Sequence, residues 1–340
     1  MKNYLIILSL LFISACGNKD YKEMNQYVGF AQGTTFSIVY DKDAGDLKAE
    51  IDQIIQDMDK SMSLWDSASY ISKINNSLSP VDADAYFSEV FTLSQKIHTL
   101  TEGAFNPCLF PLIKYWGFAK DRFHEDSLKQ KAYSADSLLK HSQWGSVKHL
   151  GNHRYQRMHS KAGIDFNAIA QGYTVDVIAR MFDAKQLENY MIEVGGEVRA
   201  KGKNQQGKIW RIGIDKPIND STTRSLQAIV ELDGLSIATS GSYRKFYEKD
   251  GHRYSHAIDA HTGMPVEHRL LSVSVIAPTC AEADAYATAF LVMGAPKTVS
   301  FLNKHPELGL MVYLISDGFD GAFEVYMSPQ LEERINNPNP

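Results

Sequence analysis

Apolar residues recur at helical spacing in some stretches of the chain and alternate with polar ones in others. Leu47, Ile51, Ile54, Ile55, Met58 and Met62 lie three and four apart, which predicts an amphipathic helix over residues 47–62. Val90, Phe91, Ser94 and Ile97 share one side of a second helix over 85–101, and Gly103 falls just past its end. Gly33 to Tyr40 (GTTFSIVY) reads as a strand. Residues 103–118 are apolar, but Pro107 and Pro111 break them into an irregular packed segment. Residues 119–160 are polar and expected at the periphery. The chain then alternates: a helix over about 167–182, strands near 190–200, 208–215, 226–239, 253–259 and 270–277, a helix over 280–293, and a closing hairpin near 309–328. Without a regular strand–helix–strand rhythm, the expected class is α+β, with mixed or antiparallel sheets and packed helices.

The N-terminus follows a different rule. Met1-Lys2-Asn3 is a short basic start, and Tyr4 to Ala15 is almost purely apolar. That run is too short for a permanent membrane span, which needs about 20 residues, but suits a signal-peptide core. It ends in Ile13-Ser14-Ala15-Cys16, small residues before a cysteine, resembling a bacterial lipobox. The expected organisation is a cleaved signal over 1–15, a lipid-anchored tether over 16–27 starting at Cys16, one body over 28–330, and a flexible tail over 331–340. The expected place is the bacterial cell envelope, held at a membrane by lipid and facing the periplasm or exterior.

Composition changes this picture little. The 340 residues are 44% hydrophobic and 22% charged, which excludes disorder, a collagen-like fibre and a disulfide-dense scaffold. A net charge of −5 gives no support to a nucleic-acid partner, which calls for a basic face. Once Cys16 is set aside, Cys108 and Cys280 remain, and one disulfide or two separate buried thiols both fit.

Candidate chemistry concentrates in a few segments. In Thr279-Cys280-Ala281-Glu282 the spacing of Thr and Glu has the form of a capping box, so a helix should start there. Asp284, Thr288 and Leu291 then share one face, putting a carboxylate and a hydroxyl together on an Ala/Leu/Phe helix. A buried carboxylate needs a partner, and a hard cation such as Mg²⁺ bound through oxygens would supply one, although a dipole-favoured Asp near a helix start is the plainer reading. Ile164 to Tyr173 forms a strand-to-helix corner where Asp165 or Asn167 can cap the helix and free N–H groups attract phosphate. Gly195-Gly196 interrupts a strand, by default as a bulge and otherwise where backbone approaches a ligand. Ser242-Tyr243-Arg244-Lys245 and His261-Thr262-Gly263 have the spelling of serine acyl-enzyme elements, but their spacing and the missing S-x-N argue against that chemistry. His256, Asp259 and His261 suggest a transition-metal site, except that on a strand His256 faces away from the other two.

Taken in order, the segments resemble the FAD:protein FMN transferase family, the ApbE-type flavin transferases, from about Gly33 to Gly294. The landmarks are Gly33-Thr34-Thr35, Met62-Ser63-x-Trp65, Gly103-Ala104-Phe105-Asn106-Pro107, Trp116-Gly117-Phe118, and Ile164-Asp165 through Gly172. Val194-Gly195-Gly196-Glu197, Trp210 with Pro217, Ala238-Thr239-Ser240-Gly241, His256-x-Ile258-Asp259, Thr262-Gly263 and Asp284-Ala285-x-Ala287-Thr288-Ala289 follow.

The resemblance implies an α+β fold with a cleft for FAD and Mg²⁺. It also implies transfer of FMN from FAD to a threonine hydroxyl of an acceptor flavoprotein, with AMP released. Asp284 and Thr288 become the catalytic pair that ligates Mg²⁺, helped by the backbone carbonyls of Ala168 and Ala287. FAD contacts fall on Gln32, Trp65, Ala104, Phe105, Asn106, Asp165, Gln171 and backbone near Ile258. Gln32 stands where methionine is common in the family, and Asn106 where aspartate is. Trp65 is suited to stacking on a flat ring. The rivals are a FAD pyrophosphatase releasing FMN and AMP, and a flavin-binding lipoprotein without turnover. Asp233 to Thr239 loosely resembles the family's acceptor motif, but reads first as a buried strand.

Overall fold

The computed structural model describes residues 22–118, 134–218, 225–242, 246–249, 252–318 and 322–336. An eight-stranded sheet organises them. Its strands are, in spatial order, β1 (Met24–Ala31), β2 (Thr34–Asp41), β6 (Tyr190–Val194), β7 (Glu197–Lys201), β10 (Leu235–Gly241), β13 (Leu270–Ala277), β14 (Met311–Asp317) and β15 (Phe323–Met327). Every neighbouring pair is antiparallel. Strands β3 (Val81–Asp82), β4 (Val147–His149) and β5 (Arg154–Arg157) form one small sheet, with β5 central, and β8 (Trp210–Asp215), β9 (Leu226–Leu232) and β16 (Ile335–Asn336) form another around β9. A separate hairpin joins β11 (Phe246–Lys249) to β12 (His252–Ser255). The helices are α1 (Lys48–Met62), α2 (Tyr70–Asn76), α3 (Ala85–Leu100), α4 (Phe110–Tyr115), α5 (Ala135–Leu139), α6 (Ala170–Ala184), α7 (Cys280–Met293) and α8 (Ala295–Lys304). The α+β reading stands.

The large sheet is covered on both faces. In β14, Val312 and Leu314 pack into the core shared with α3 and α7, while Met311, Tyr313 and Ile315 pack against the small β8–β9–β16 sheet. Two buried faces explain why β13 and β14 read as nearly continuous apolar runs rather than alternating ones. Nearer β1, the helices α1 and α6 lie on β2 and β6 through Ile51, Ile55, Ile178 and Phe182.

Several boundaries differ from the sequence reading. The 190–200 stretch is a hairpin, with Gly195-Gly196 as the turn between β6 and β7 rather than a bulge. The 226–239 stretch divides at Asp233-Gly234: β9 joins the small sheet and β10 the large one. Ser236, Ile237 and Ala238 are buried in β10 as the buried-strand reading expects, whereas Thr239 is exposed, with its Oγ1 2.7 Å from Ser274 Oγ. Residues 256–259 follow β12 as a loop. The polar 119–160 segment is not wholly peripheral, because Val147 and Tyr155 are fully buried and Tyr155 packs edge-on against Phe87 at 4.7 Å; alternation over such short strands is too weak a signal to show this. The expected signal, Cys16, residues 119–133, Tyr243 to Lys245 and the last four residues lie outside the described residues.

Both ends of the body also reach further than expected. The tether expected to run to residue 27 gives way to β1 at Met24, which pairs with β2 along its whole length. The tail expected from 331 includes Leu331, fully buried with the β8–β9 core, and β16, which pairs with Val230 and Ile229. Polar composition at these ends hid the apolar residues that anchor them. Leu331→Ala should therefore destabilise the protein by about 3 kcal/mol, read as a lowered urea midpoint. A shift below about 0.5 kcal/mol, the range of a surface substitution, would return this segment to a loose tail.

Candidate functional site

The start of α7 carries the first part of the site, and the N–H groups of Cys280, Ala281 and Glu282 all have side-chain acceptors. Thr279, the N-cap, accepts the Glu282 N–H at 3.3 Å. Asp176, reaching across from α6, accepts the N–H groups of Cys280 and Ala281, each at 2.8 Å. Ala283 N–H then opens the helix's own ladder by donating to Thr279 O. The predicted cap is present in altered form, since Thr279 Oγ1 donates to the Glu282 carboxylate at 3.0 Å rather than Glu282 reaching the Thr279 N–H. Desolvation pushes the Asp176 carboxyl up to about 6, against the pull of the two N–H groups and of Arg199 and Arg180.

α6 is capped in return by α7. Neither Asp165 nor Asn167 caps it: Asp165 Oδ1 accepts the Asn167 N–H at 2.7 Å in a local turn, and the helix begins later, at Ala170. Its Gly172 N–H instead donates to Asp284 Oδ2 at 3.2 Å. The carboxylate faces the positive end of the α6 dipole there. Only glycine permits the approach, because a Cβ at residue 172 would stand 2.4 Å from Cys280 O and 2.9 Å from Asp284 Cβ.

Asp284 is buried at 6% exposure on a helix that is apolar on nearly all sides. Thr288, one turn on, is half-buried with its Oγ1 3.1 Å from Ser240 Oγ at the end of β10. Ala287 is fully buried and Ala168 half-buried, two residues before α6. The set offers a carboxylate, a hydroxyl and backbone carbonyls. These all-oxygen donors fit a hard divalent cation.

Beside the α6 start lies a cleft of about 230 Å³ lined by Gln32, Gly33, Met58, Asp59, Trp65 and Gln171, among others. Three of the predicted contacts, Gln32, Trp65 and Gln171, thus meet in one place, although they come from a hairpin turn, a loop and a helix. Trp65 presents its ring at 56% exposure. The Gly195-Gly196 turn approaches Gln171 so closely that a Cβ at 195 would stand 3.0 Å from its side chain. The glycine pair therefore does serve a close approach, to a cleft-lining residue.

The other predicted contacts are more buried and lie outside the lining of that cleft. Asn75 holds Ile164 by two hydrogen bonds of 2.8 Å, and Asp165 N–H donates to Pro107 O at 2.9 Å, tying the α6 corner to the loop after Gly103. In that loop Ala104 and Phe105 are buried, and Phe105 O accepts from His98 Nδ1 at 2.9 Å. Asn106 is engaged in holding the loop: it accepts from Cys108 N–H and donates to Ser142 O, both at 3.0 Å. Ile258 is buried with Leu109, Leu112 and Trp116, and its backbone bridges to Pro265. None of the five, Ala104, Phe105, Asn106, Asp165 and Ile258, lines the cleft around Trp65.

The remaining sequence candidates separate from the site. His256 lies half-buried on a loop near the Phe118 ring, and His261 Nδ1 pairs locally with Asp259 Oδ1 at 3.2 Å. Among the described residues, no three His, Cys, Asp or Glu side chains gather. Cys108 and Cys280 are separate free thiols, both buried in different cores. Burial pushes Cys108 up to about 11 and Cys280 well above the ordinary thiol range, so neither is a reactive thiolate near neutrality.

Two residues at the site, Asp176 and Asp59, escaped the sequence reading, and Ser240 entered it only within the Ala238-Thr239-Ser240-Gly241 landmark. Asp176 sat unnoticed inside a helix. Asp59 left a usable signal: it follows buried Ile55 by four residues, which puts a carboxylate at the margin of the apolar face of α1. Burial, then the charge of Asp66, holds its carboxyl above the usual range.

The chain matches the model of the ApbE family over residues 32–312. A Vibrio cholerae protein named FAD:protein FMN transferase is 34% identical, with 96% of this chain and all of the relative covered. One of the same name from Escherichia coli strain K12 is 34% identical over 86% of this chain and 82% of its own. The solved structure of the flavin transferase ApbE from Vibrio cholerae superposes with a TM-score of 0.80 at 31% identity, covering 92% of this chain and 99% of that one.

Because α6 and α7 touch at Gly172, Gly172→Ala should lower stability by about 1–3 kcal/mol and disturb the Asp284 contact. Urea denaturation checks this. An unchanged midpoint would show that the two helices do not meet so closely.

Proposed function

The chain belongs to the ApbE family, and we propose that it is a FAD:protein FMN transferase that works with Mg²⁺ on an acceptor threonine. Transfer of FMN from FAD is the activity named for its relatives across nearly the whole chain. The observation that carries the reading here is the meeting of Gln32, Trp65 and Gln171 in one cleft at the α6 start, beside the Gly172–Asp284 contact.

In this reading the acceptor hydroxyl oxygen attacks the FMN-side phosphorus of FAD. A new P–O bond forms, the bond to the bridging pyrophosphate oxygen breaks, AMP leaves, and the hydroxyl proton is released. The residues of the chain align and exclude rather than react. Trp65 offers a face for a flat ring. Gly195-Gly196 and the α6 corner let backbone come near phosphate oxygens without side-chain obstruction. Asp284 and Thr288, with the carbonyls of Ala168 and Ala287, would hold Mg²⁺. When bound, the ion neutralises phosphate charge, the main requirement of phosphoryl transfer. With a net charge of −5, the protein as a whole does not attract an anion, so local donors must.

Lipid anchoring at Cys16, with the body outside the cytoplasm, is part of the proposal and is supported by the Ile13-Ser14-Ala15-Cys16 sequence after an apolar run. A protein partner outside the cytoplasm would then be met at the membrane surface.

Protein from Gly17 onward, given FAD, Mg²⁺ and a threonine-bearing acceptor, should leave covalent fluorescent flavin on the acceptor and release AMP. Asp284→Ala should cut turnover more than about 100-fold, and chelation with EDTA should stop it until Mg²⁺ is returned. AMP and free FMN without acceptor labelling would make the protein a pyrophosphatase. FAD bound but intact throughout would leave only a carrier.

A further inference from the structure

The outer edge of β1 is open. Gly195 N–H, in the β6–β7 turn, donates to Thr35 O at 3.1 Å, so Thr35 turns its backbone toward β6 and away from β1. Bonding direction alternates along an antiparallel pair, and Thr35, Ser37 and Val39 stand opposite Phe30, Val28 and Gln26. Those three residues of β1 therefore aim both N–H and C=O outward, where no strand pairs with them among the described residues. Edges are ordinarily blunted by charge, proline or shortness. The opposite edge, β15, is five residues long and carries Glu324, whereas β1 has eight residues, MNQYVGFA, with neither a charge nor a proline.

The side chains at this edge are unusual as well. Phe30 is 73% exposed and Val28 60%. Met24, Val39 and Met191, on the same face, join the core beneath the small β8–β9–β16 sheet, which leaves Val28 and Phe30 uncovered. The strand also leads to the cleft. Tyr27 OH donates to Asp52 Oδ1 at 2.7 Å in the first half of α1. Further along both elements, Met58, Asp59 and Met62 of α1 line the cleft with Gln32 and Gly33, the turn that follows β1.

We propose that an extended segment of the acceptor protein adds to the β1 edge as a further strand, packs alternate apolar side chains on Val28 and Phe30, and is led by β1 to the cleft. The inference rests on the transferase reading above, in which the acceptor hydroxyl must enter that cleft at every turnover. In strand addition the backbone hydrogen bonds supply affinity and the alternate side chains selectivity. A second copy held stably on this edge would need an interface of roughly 1,200 Å² or more. Two exposed apolar side chains are a small core for that, and suit a partner released after each reaction.

The test measures flavin transfer at rising concentrations of the threonine-bearing acceptor used above, with the wild type, Val28→Pro and Phe30→Ser. Proline at 28 removes an outward N–H that the β1–β2 ladder does not use, a place where edge strands tolerate it. The KM for acceptor should rise about fivefold in Val28→Pro, for one backbone hydrogen bond, and about tenfold in Phe30→Ser, for one buried ring. The kcat, the KM for FAD and the melting temperature should stay those of the wild type. In hydrogen exchange on the wild type, the Gln26, Val28 and Phe30 amides should exchange fast alone and slowly once acceptor is added, which reads the edge without any substitution. An unchanged KM for acceptor in Phe30→Ser, or no slowing of those amides, overturns the proposal while leaving the transferase reading in place. Amides already slow without acceptor, in a protein that sediments as a dimer, give the edge to a second copy and overturn it too. A wild type that labels no acceptor overturns the transferase reading and this one with it.

Discussion

Everything at this site depends on two helices that cap each other. α6 lends Asp176 to the first N–H groups of α7, and α7 lends Asp284 to Gly172 N–H in the first turn of α6. Each carboxylate sits at the positive end of the other helix's dipole, where negative charge is favoured and unpaired donors are costly. The exchange needs the two backbones nearly in contact, and glycine at 172 is what allows it. Shift either helix by a fraction of its width and both caps are lost together, along with the geometry of Asp284.

The rest of the fold supports this contact. α7 is buried on almost all sides between α3, α6, α8 and the sheet, so the Asp284 and Thr288 side chains project from a rigid element rather than a loop. The sheet in turn places Ser240 against Thr288 and the Gly195-Gly196 turn against Gln171. The cleft opens where the helical layer ends, between the β1–β2 turn, the last turn of α1 and the start of α6. A cleft at such a margin combines fixed polar groups with one exposed aromatic ring.

Much of this was legible in the sequence where a local rule applied. The helix at 280–293 was readable because Thr279, Glu282 and Gly294 punctuate it, and the helix over 47–62 because its apolar residues keep a 3.6-residue period. The corner at 165–170 was misread because Asp165 and Asn167 look like caps, whereas they bond to each other and leave capping to a residue over a hundred positions away. The divided 226–239 strand and the buried Leu331 failed for a similar reason: alternation does not say which of two sheets a strand joins.

The sequence by itself determined the elements, the family landmarks and the residue types of the site, because periodicity, caps and turn glycines act over a few neighbouring positions. Tertiary structure alone decided that Asp176 serves α7 and that Asp284 answers α6. It also decided that the Gln32 amide nitrogen turns to Thr174 and its oxygen away, and that Asn106 holds a loop rather than facing the cleft. Those outcomes depend on partners 36 to 142 residues apart along the chain, and hydrogen bonds are directional. Which donor meets which acceptor is settled only when the helices and the sheet have packed.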